Sequence, residues 1–265
     1  MLVRELIDFF EAIAPSSFQE SYDNVGIITG SPNTEISGII TCLDATEAVI
    51  DEAISLNCNV VVAHHPIIFR GLKKLNGTNY VERVIIKAIK NDIAIFAIHT
   101  NLDNVYYHGV NTIIANRLNL NELEILDPKQ NLFHNNQKVG SGMIGNLPYP
   151  MEETSFLQYL KEKMDLKVVK HTALLGKPIE KVALCGGSGS FLLQKAIEQN
   201  ADIFVTSDFK YHEFFDAENN IIIADIGHYE SERFTFEYLK SLIIQNFSIF
   251  AVHSTSVNTN PVLYS

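Results

Sequence analysis

Apolar residues along this chain follow two alternating patterns, short β-branched runs and longer stretches with helical spacing. The segment ISGIITCLD is a run of the first kind, and in the following TEAVIDEAISLN the residues Val49, Ile50, Ala53 and Ile54 lie on one helical face. The same succession returns in NVVVAHHP, VERVIIKAIKN, IAIFAIHTNLD and VNTIIANRLNL. Strands that alternate with helices predict a largely parallel sheet, and strands this apolar are expected to carry helices on both faces.

The pattern changes after Leu126, where DPKQNLFHNNQKVGSGMIGNLPYP is rich in Pro, Gly and Asn. This composition favours a domain boundary. We predict a first α/β domain over residues 1–126, a second over 127–225, and a C-terminal helix and strand over 226–265 that rejoin the first domain. The predicted fold class is α/β, with two domains whose largely parallel or mixed sheets are flanked by helices.

Within the second half, the patterns predict a strand over DLKVVKHTAL and a long amphipathic helix over HYESERFTFEYLKSLIIQ. The chain is 46% hydrophobic and 19% charged, which is typical of a globular protein. No apolar run is long enough to span a membrane, so we expect no membrane association. The three cysteines are far apart, which argues against disulfides and a thiolate zinc site and indicates a cytoplasmic location.

The formal net charge is −11, which has the wrong sign for binding a phosphate backbone and argues against nucleic acid as a partner. That sum counts every carboxylate as uncompensated. Two bound divalent cations would cancel four of the negative charges. The net charge is therefore compatible with a protein that binds metal ions.

Three predicted strands end in side chains that bind metals. They are His64 and His65 after NVVVA, His99 and Asp103 after IAIFAI, and His228 and Glu232 after NIIIADIG. In α/β sheets the functional crevice lies beyond the carboxyl ends of the strands, so the sequence predicts one shared metal site there. His228 and Glu232 would stand four residues apart on one helical face.

Imidazole and carboxylate ligands without thiolate favour Zn, Fe, Mn, Co or Ni over Ca²⁺. Five ligands exceed what one zinc ion takes and favour two divalent ions per subunit, at a separation of about 3.5–4 Å. Adjacent His64 and His65 would point in opposite directions on an extended strand, but Pro66 places them at a turn, so their orientation stays open. A lone histidine is usually structural, and only the combination of motifs indicates ligands.

His99 is interpreted either as a ligand or as support for Asp103. His212 is interpreted as a second support or as part of a pocket wall. Two further motifs are ambiguous. CGGSGSF is either an anion-binding loop or a tight strand-to-helix turn, and the turn is slightly favoured because no dinucleotide or P-loop pattern is complete. YDNVG is either a turn or a loop that contacts a ligand.

The motifs YDNVG, LDAT, AHHPIIF, IHTNLD, CGGSGS, ADIFVTSDFKYHE and GHYESE occur in this order across nearly the whole chain. In this the sequence resembles the Nif-three-like proteins, which are often labelled GTP cyclohydrolase 1 type 2 homologues. The resemblance implies a dinuclear metal site on His64, His65, Asp103, His228 and Glu232, two α/β domains and a ring-shaped homohexamer. The chain departs from the family pattern at Tyr22, where a Trp is usual, and at Ser207, where a Gly is usual.

These observations favour metal-assisted hydrolysis, with His99 or His212 as proton shuttles. The family label implies a guanine nucleotide as substrate, while hydrolysis of phosphoesters or other nucleotides is equally compatible with two metals. The alternative is a non-catalytic protein that binds or delivers metal or serves as an interaction scaffold. A third interpretation, nucleic acid threading through a ring, is disfavoured by the charge.

Overall fold

The computed structural model describes all residues, 1–265, and contains eleven strands and nine α-helices. The strands are β1 (Gly26–Thr29), β2 (Gly38–Asp44), β3 (Val60–His65), β4 (Ala94–Ala97), β5 (Asn121–His134), β6 (Gln137–Met151), β7 (Lys170–His171), β8 (Ile179–Ser188), β9 (Ile203–Ser207), β10 (Ile222–Asp225) and β11 (Ala251–Ser254). The helices are α1 (Val3–Ile13), α2 (Glu47–Ser55), α3 (Tyr80–Lys90), α4 (Thr100–Asp103), α5 (Val110–Arg117), α6 (Glu153–Met164), α7 (Leu193–Glu198), α8 (His228–Glu232) and α9 (Thr235–Asn246). Short 3-10 helices cover Ser16–Phe18, Ser190–Leu192 and Tyr211–Ala217.

The chain divides into two compact units. The first contains Met1–Leu102 and Arg233–Pro261, and the second contains Asp103–Glu232 and Val262–Ser265. Residue 126, the predicted end of the first domain, lies inside β5 of the second unit. Of the C-terminal elements, α9 and β11 belong to the first unit, whereas α8 belongs to the second.

The first unit is built on a five-stranded sheet of order β1-β4-β3-β2-β11. Its strands are parallel except β1, which pairs antiparallel with β4. The apolar residues Val60, Val61 and Val62 of the central β3 are fully buried, because helices and loops cover the sheet on both faces. This arrangement agrees with the predicted α/β class.

Capping side chains determine where the helices beside this sheet begin. The Thr46 side chain accepts a hydrogen bond from the Val49 amide at the start of α2, at 3.3 Å. The Asn79 side chain accepts one from the Glu82 amide at the start of α3, at 3.0 Å. Both helices bury most of the apolar face that the 3.6-residue spacing predicts, but Ile54 of α2, which was expected on that face, is exposed.

The second unit is built on a six-stranded mixed sheet of order β5-β6-β8-β9-β10-β7. Only β8, β9 and β10 are parallel neighbours. The stretch rich in Pro, Gly and Asn, which we expected to mark a domain boundary, forms the β5–β6 hairpin inside the second unit. Asn135 and Asn136 form its turn with φ angles of 48° and 63°, a conformation that Asn adopts more readily than most residues.

Two predicted elements differ from the observed ones. The long helix over HYESERFTFEYLKSLIIQ is two helices, α8 and α9, separated by Arg233 and Phe234. The break coincides with the passage of the chain from the second unit to the first, which the local apolar spacing does not reveal. The strand over DLKVVKHTAL shortens to β7, which pairs with β10 at an exposed sheet edge. No helix of the structure combines the length and the apolar composition that crossing a membrane requires.

Candidate metal centre

Three histidines lie together in the first unit, beyond the carboxyl ends of β3 and β4. His64 and His65 are the last residues of β3, and His99 follows β4 by two residues. One ring nitrogen of each histidine can be chosen so that the three nitrogens all lie within 4.8 Å of one another. The ring centroids of His64 and His65 are 5.0 Å apart. The orientation that the sequence left open is therefore convergent.

In each of these three histidines the Nδ1 atom is next to an oxygen acceptor. His64 Nδ1 lies 2.8 Å from the Ile98 carbonyl oxygen, and His65 Nδ1 lies 2.8 Å from Oδ1 of Asp44. His99 Nδ1 lies 2.9 Å from Oδ1 of Asp23. These acceptors favour a proton on Nδ1, which leaves the lone pair on Nε2 for a ligand. Histidine ligands of metals are usually oriented in this way.

Asp23 belongs to the YDNVG motif, which the sequence left ambiguous between a turn and a ligand contact. Its carboxylate is completely buried and accepts hydrogen bonds from His99 Nδ1 and from the amide and hydroxyl of Thr100. Burial alone would raise the pKa of Asp23, but the hydrogen bonds from His99, Thr100 and the Asn24 amide outweigh it and lower the pKa to about 2. Asp23 is thus an ionised partner that orients His99.

The remaining predicted ligands lie in the second unit. Asp103 ends α4, and His228 and Glu232 are the first and last residues of α8. His228 Nε2 lies 3.1 Å from Oε2 of Glu232, as expected for side chains four residues apart on a helix. An oxygen of Asp103 lies within 4.8 Å of an oxygen of Glu232. Two carboxylates this close repel each other unless a proton or a cation compensates their charge.

His228 is oriented from behind in the same way as the other three histidines. Its Nδ1 atom lies 2.7 Å from Oδ2 of Asp208. Burial disfavours the charged imidazolium, but the Glu232 and Asp208 carboxylates outweigh it and raise the pKa of His228 to about 11. The two carboxylates thus favour the charged form of this ring.

The CGGSGSF motif forms the wall behind Glu232. Gly187 has a φ angle of +65°, and a Cβ atom at this position would lie 2.4 Å from Oε1 of Glu232. The Gly187 amide donates a hydrogen bond to the Ser231 hydroxyl at 2.9 Å. Both the backbone conformation and the space therefore require glycine. The turn interpretation was incomplete, since this motif also supports a predicted ligand.

Ser207, where the family resemblance leads us to expect Gly, contributes to the same wall. Its hydroxyl donates a hydrogen bond to the Gly187 carbonyl oxygen at 2.6 Å, and the Thr206 hydroxyl donates to the same oxygen at 3.1 Å. The departure thus adds a hydrogen bond to the glycine that contacts Glu232. The predicted ligands themselves are unchanged.

His212 lies on the 3-10 helix Tyr211–Ala217 and is exposed to solvent. Its ring packs against Tyr211 and Phe215 at centroid distances of 5.1 and 6.3 Å. No group of potential metal ligands in the structure includes His212. Its role as a proton shuttle stays a prediction. Cys185 does not extend the ligand sets, because burial and the nearby Asp103 and Glu232 raise its pKa and keep it a thiol.

Sequence reasoning missed Asp44 and Asp208, the carboxylates that orient His65 and His228. Asp44 lies in the LDAT motif and Asp208 in the ADIFVTSDFKYHE motif, so the resemblance already marked both regions. Nothing in the local sequence links either aspartate to a histidine about 20 residues away. Groups of imidazole and carboxylate side chains in the structure could hold a metal ion.

Comparison with known proteins identifies the family. A family model for Duf34/NIF3 (NGG1p interacting factor 3) matches residues 1–261. The chain belongs to the Duf34/NIF3 family. This confirms the resemblance inferred from the order of the motifs. A Duf34/NIF3 relative from Clostridium acetobutylicum, named GTP cyclohydrolase 1 type 2 homolog, is 32% identical over 265 residues, covering 99% of this chain and 95% of the relative.

Solved structures of similar proteins share the fold. Staphylococcus aureus protein SA1388 superposes with a TM-score of 0.90 at 29% identity, covering 100% of this chain and 99% of that one. A Bacillus cereus protein related to NIF3 superposes with a TM-score of 0.89 at 25% identity and the same coverage. The predicted α/β class with two sheets flanked by helices is confirmed.

Proposed function

We propose that this Duf34/NIF3 protein binds two divalent metal ions through His64, His65, Asp103, His228 and Glu232, and that it hydrolyses a nucleotide or a related small molecule. The observation that supports metal binding most directly is the shared orientation of the histidines. His64 and His65 each have Nδ1 2.8 Å from an oxygen acceptor, which leaves Nε2 as the ligand atom, and His228 has Nδ1 2.7 Å from Asp208 and Nε2 3.1 Å from Glu232.

The donor chemistry supports Zn, Fe, Mn, Co or Ni as the ion. Imidazole nitrogens are present in all three groups of potential ligands and carboxylate oxygens in two of them, while Cys185 stays protonated. Divalent ions of this kind act as Lewis acids and lower the pKa of a water molecule that they bind to about 7. Relatives named GTP cyclohydrolase 1 type 2 homolog support a nucleotide as the substrate class.

The residues of this chain have distinct roles in the proposed reaction. His64 and His65 would bind a metal ion through Nε2. The Ile98 carbonyl oxygen accepts from Nδ1 of His64 and Asp44 accepts from Nδ1 of His65, so that Nε2 is the ligand atom of each ring. His99 accepts and returns a proton at Nε2, because its Nδ1 atom is held by the ionised Asp23. The buried Glu232 carboxylate, which lies against Gly187, would bind a metal cation in the second unit.

The proposal is tested by metal content and turnover. Metal-free protein is dialysed against each of the five metals, and bound metal per chain is measured by mass spectrometry. We expect about two ions per wild-type chain, and fewer for His64→Ala and Glu232→Gln. His171→Ala is the matched control, since exposed His171 also has its Nδ1 next to a carbonyl oxygen, at 2.7 Å, but belongs to no ligand group.

Loaded protein is then screened against nucleotides and phosphoesters. Metal-dependent turnover that is lost in His64→Ala supports the hydrolase. Full turnover in His64→Ala contradicts it. Tight metal binding without turnover, together with ready transfer of the metal to an acceptor, would contradict the hydrolase and support the delivery alternative. Wild-type protein that retains no metal would overturn the proposal as a whole.

We further propose that the protein assembles as a homohexamer, as the family resemblance implies. Light scattering coupled to size-exclusion chromatography measures the mass directly. The expected mass is six times that of the 29.7 kDa chain. The mass of a single chain would contradict the proposed assembly.

A further inference from the structure

The residues that follow β11, Thr255–Asn260, form an irregular segment of the first unit, here called the C-terminal segment. Backbone and side-chain hydrogen bonds hold it in place. The Thr255 amide donates to the Thr41 carbonyl oxygen at 2.9 Å, and the carboxylate of Glu52 on α2 accepts from the Ser256 amide at 2.9 Å. Glu52 also accepts from the hydroxyls of Thr255 and Ser256. The segment is thus anchored at its beginning.

Further along, the segment reaches a residue of the candidate metal centre. The Thr259 hydroxyl donates to Oδ2 of Asp44 at 2.8 Å, and Oδ1 of the same carboxylate lies 2.8 Å from Nδ1 of His65. Each oxygen of Asp44 therefore has its own partner. Thr259, Asp44 and His65 form one chain of hydrogen bonds that connects the C-terminal segment to a predicted ligand.

We infer that Thr259 is a positioning residue for His65, a role that rests on the proposed metal-binding function. The Asp44 side chain is 36% exposed, so water competes for its oxygens and the carboxylate is able to rotate. A hydrogen bond from Thr259 restricts that rotation and keeps Oδ1 directed at Nδ1 of His65. The segment thereby fixes the ring orientation of His65 and its proton on Nδ1, which leaves Nε2 as the ligand atom.

The inference is tested by the metal affinity of Thr259→Val, a variant that keeps the shape of the side chain but removes its donor. We expect about a tenfold weaker affinity for Zn²⁺ or Co²⁺ in competition with a chelating dye, because partners of metal ligands contribute about 10–100-fold. Thr259→Ser keeps the donor, so it is expected to restore the wild-type affinity.

The matched control is Thr255→Val, in the same segment. Thr255 contacts Glu52 and not Asp44, so this variant removes an anchor of the segment and leaves the connection to His65 intact. We expect its metal affinity to equal that of the wild type. Equal affinity of Thr259→Val and wild type would overturn the inference, as would an equal loss in both threonine variants.

A second measurement needs no metal and separates this inference from the proposed function. Deuterium exchange at Cε1 of individual histidines, followed by mass spectrometry, reports on the environment of each ring. In metal-free Thr259→Val we expect faster exchange at His65 and unchanged exchange at His64, whose Nδ1 partner is the Ile98 carbonyl oxygen. If wild-type protein bound no metal, the proposed function would fail, while unchanged exchange at His65 would overturn the positioning role itself.

Discussion

Oδ1 of Asp23 lies 2.9 Å from Nδ1 of His99, although 76 residues separate the two along the chain. The Asp23 carboxylate is buried and has a pKa lowered to about 2, so it is ionised at neutral pH. Such a pair combines a fixed acceptor with a ring that is able to carry a proton. This contact leaves Nε2 of His99 for either of its two predicted roles, proton transfer or metal binding.

Asp23→Asn separates these two roles of His99. The amide no longer stabilises a proton on Nδ1 as a carboxylate does, so we expect turnover of the metal-loaded protein to fall about 10–100-fold. Metal per chain, measured on the same sample, stays at the wild-type value if His99 is a proton shuttle. An equal loss of metal would instead identify His99 as a ligand. Asp51→Asn, which removes the exposed partner of Lys87, is the control.

Gly187→Ala is expected to damage the candidate metal centre through Glu232. An alanine Cβ at this position would lie 2.4 Å from Oε1 of Glu232, so the carboxylate must move. Gly176→Ala is the matched control, because Gly176 also has a positive φ, +74°, but no atom within 4 Å of the added Cβ. We expect both variants to lose about 1 kcal/mol of stability or more from backbone strain. A lower metal affinity is expected only for Gly187→Ala, and equal affinities would contradict the role of Gly187.

Removal of metal is expected to lower the thermal midpoint of unfolding. A ligand at 100 times its dissociation constant stabilises the folded state by about 2.7 kcal/mol. For a chain of this size that corresponds to about 5–10 °C. Differential scanning calorimetry with and without a chelator measures the shift. We expect it to be present in His171→Ala and much reduced in His64→Ala, and an undiminished shift in His64→Ala would show that the stabilising ion binds elsewhere.

Asp202 gives the second unit a pH-dependent contribution to stability. Burial would raise the pKa of Asp202, but hydrogen bonds from the Lys181 and Glu180 amides and from the Lys177 side chain lower it below its ordinary value. The folded state therefore binds this proton less readily than the unfolded state does. The stabilisation is complete above the unfolded pKa, about 3.9, and is lost as the pH falls through the lower folded value.

The variant Asp202→Asn should be less stable than the wild type at pH 7, by about 1–3 kcal/mol, because the Glu180 and Lys181 amides lose a charged acceptor. The free energies of unfolding of the two proteins, obtained from urea titrations at several pH values between 7 and 3, are expected to converge at the lower pH. A difference in free energy of unfolding that stays constant with pH would show that Asp202 contributes no pH dependence. Asp51→Asn is the control, because it measures how much the removal of an exposed carboxylate changes the pH dependence of stability.

The spacing of apolar residues was sufficient to predict most elements of the first unit. β2, β3, β4 and the helices between them are each specified by residues within about ten positions, because burial on one face or two imposes a period on the local sequence. The order of short motifs likewise was sufficient to identify the family and to select His64, His65, Asp103, His228 and Glu232. These are properties that neighbouring residues carry by themselves.

Tertiary structure alone decided which partners these residues have. The β5–β6 hairpin arises where the composition predicted a domain boundary, because pairing of β6 with β8 stabilises strands whose own sequence favours turns. Asp23, Asp44 and Asp208 act as partners of His99, His65 and His228 only because the fold brings distant segments within 3 Å of each other. A hydrogen bond between distant segments imposes no period and no motif on the chain, so local sequence determined the candidate ligands and the fold determined how each is oriented.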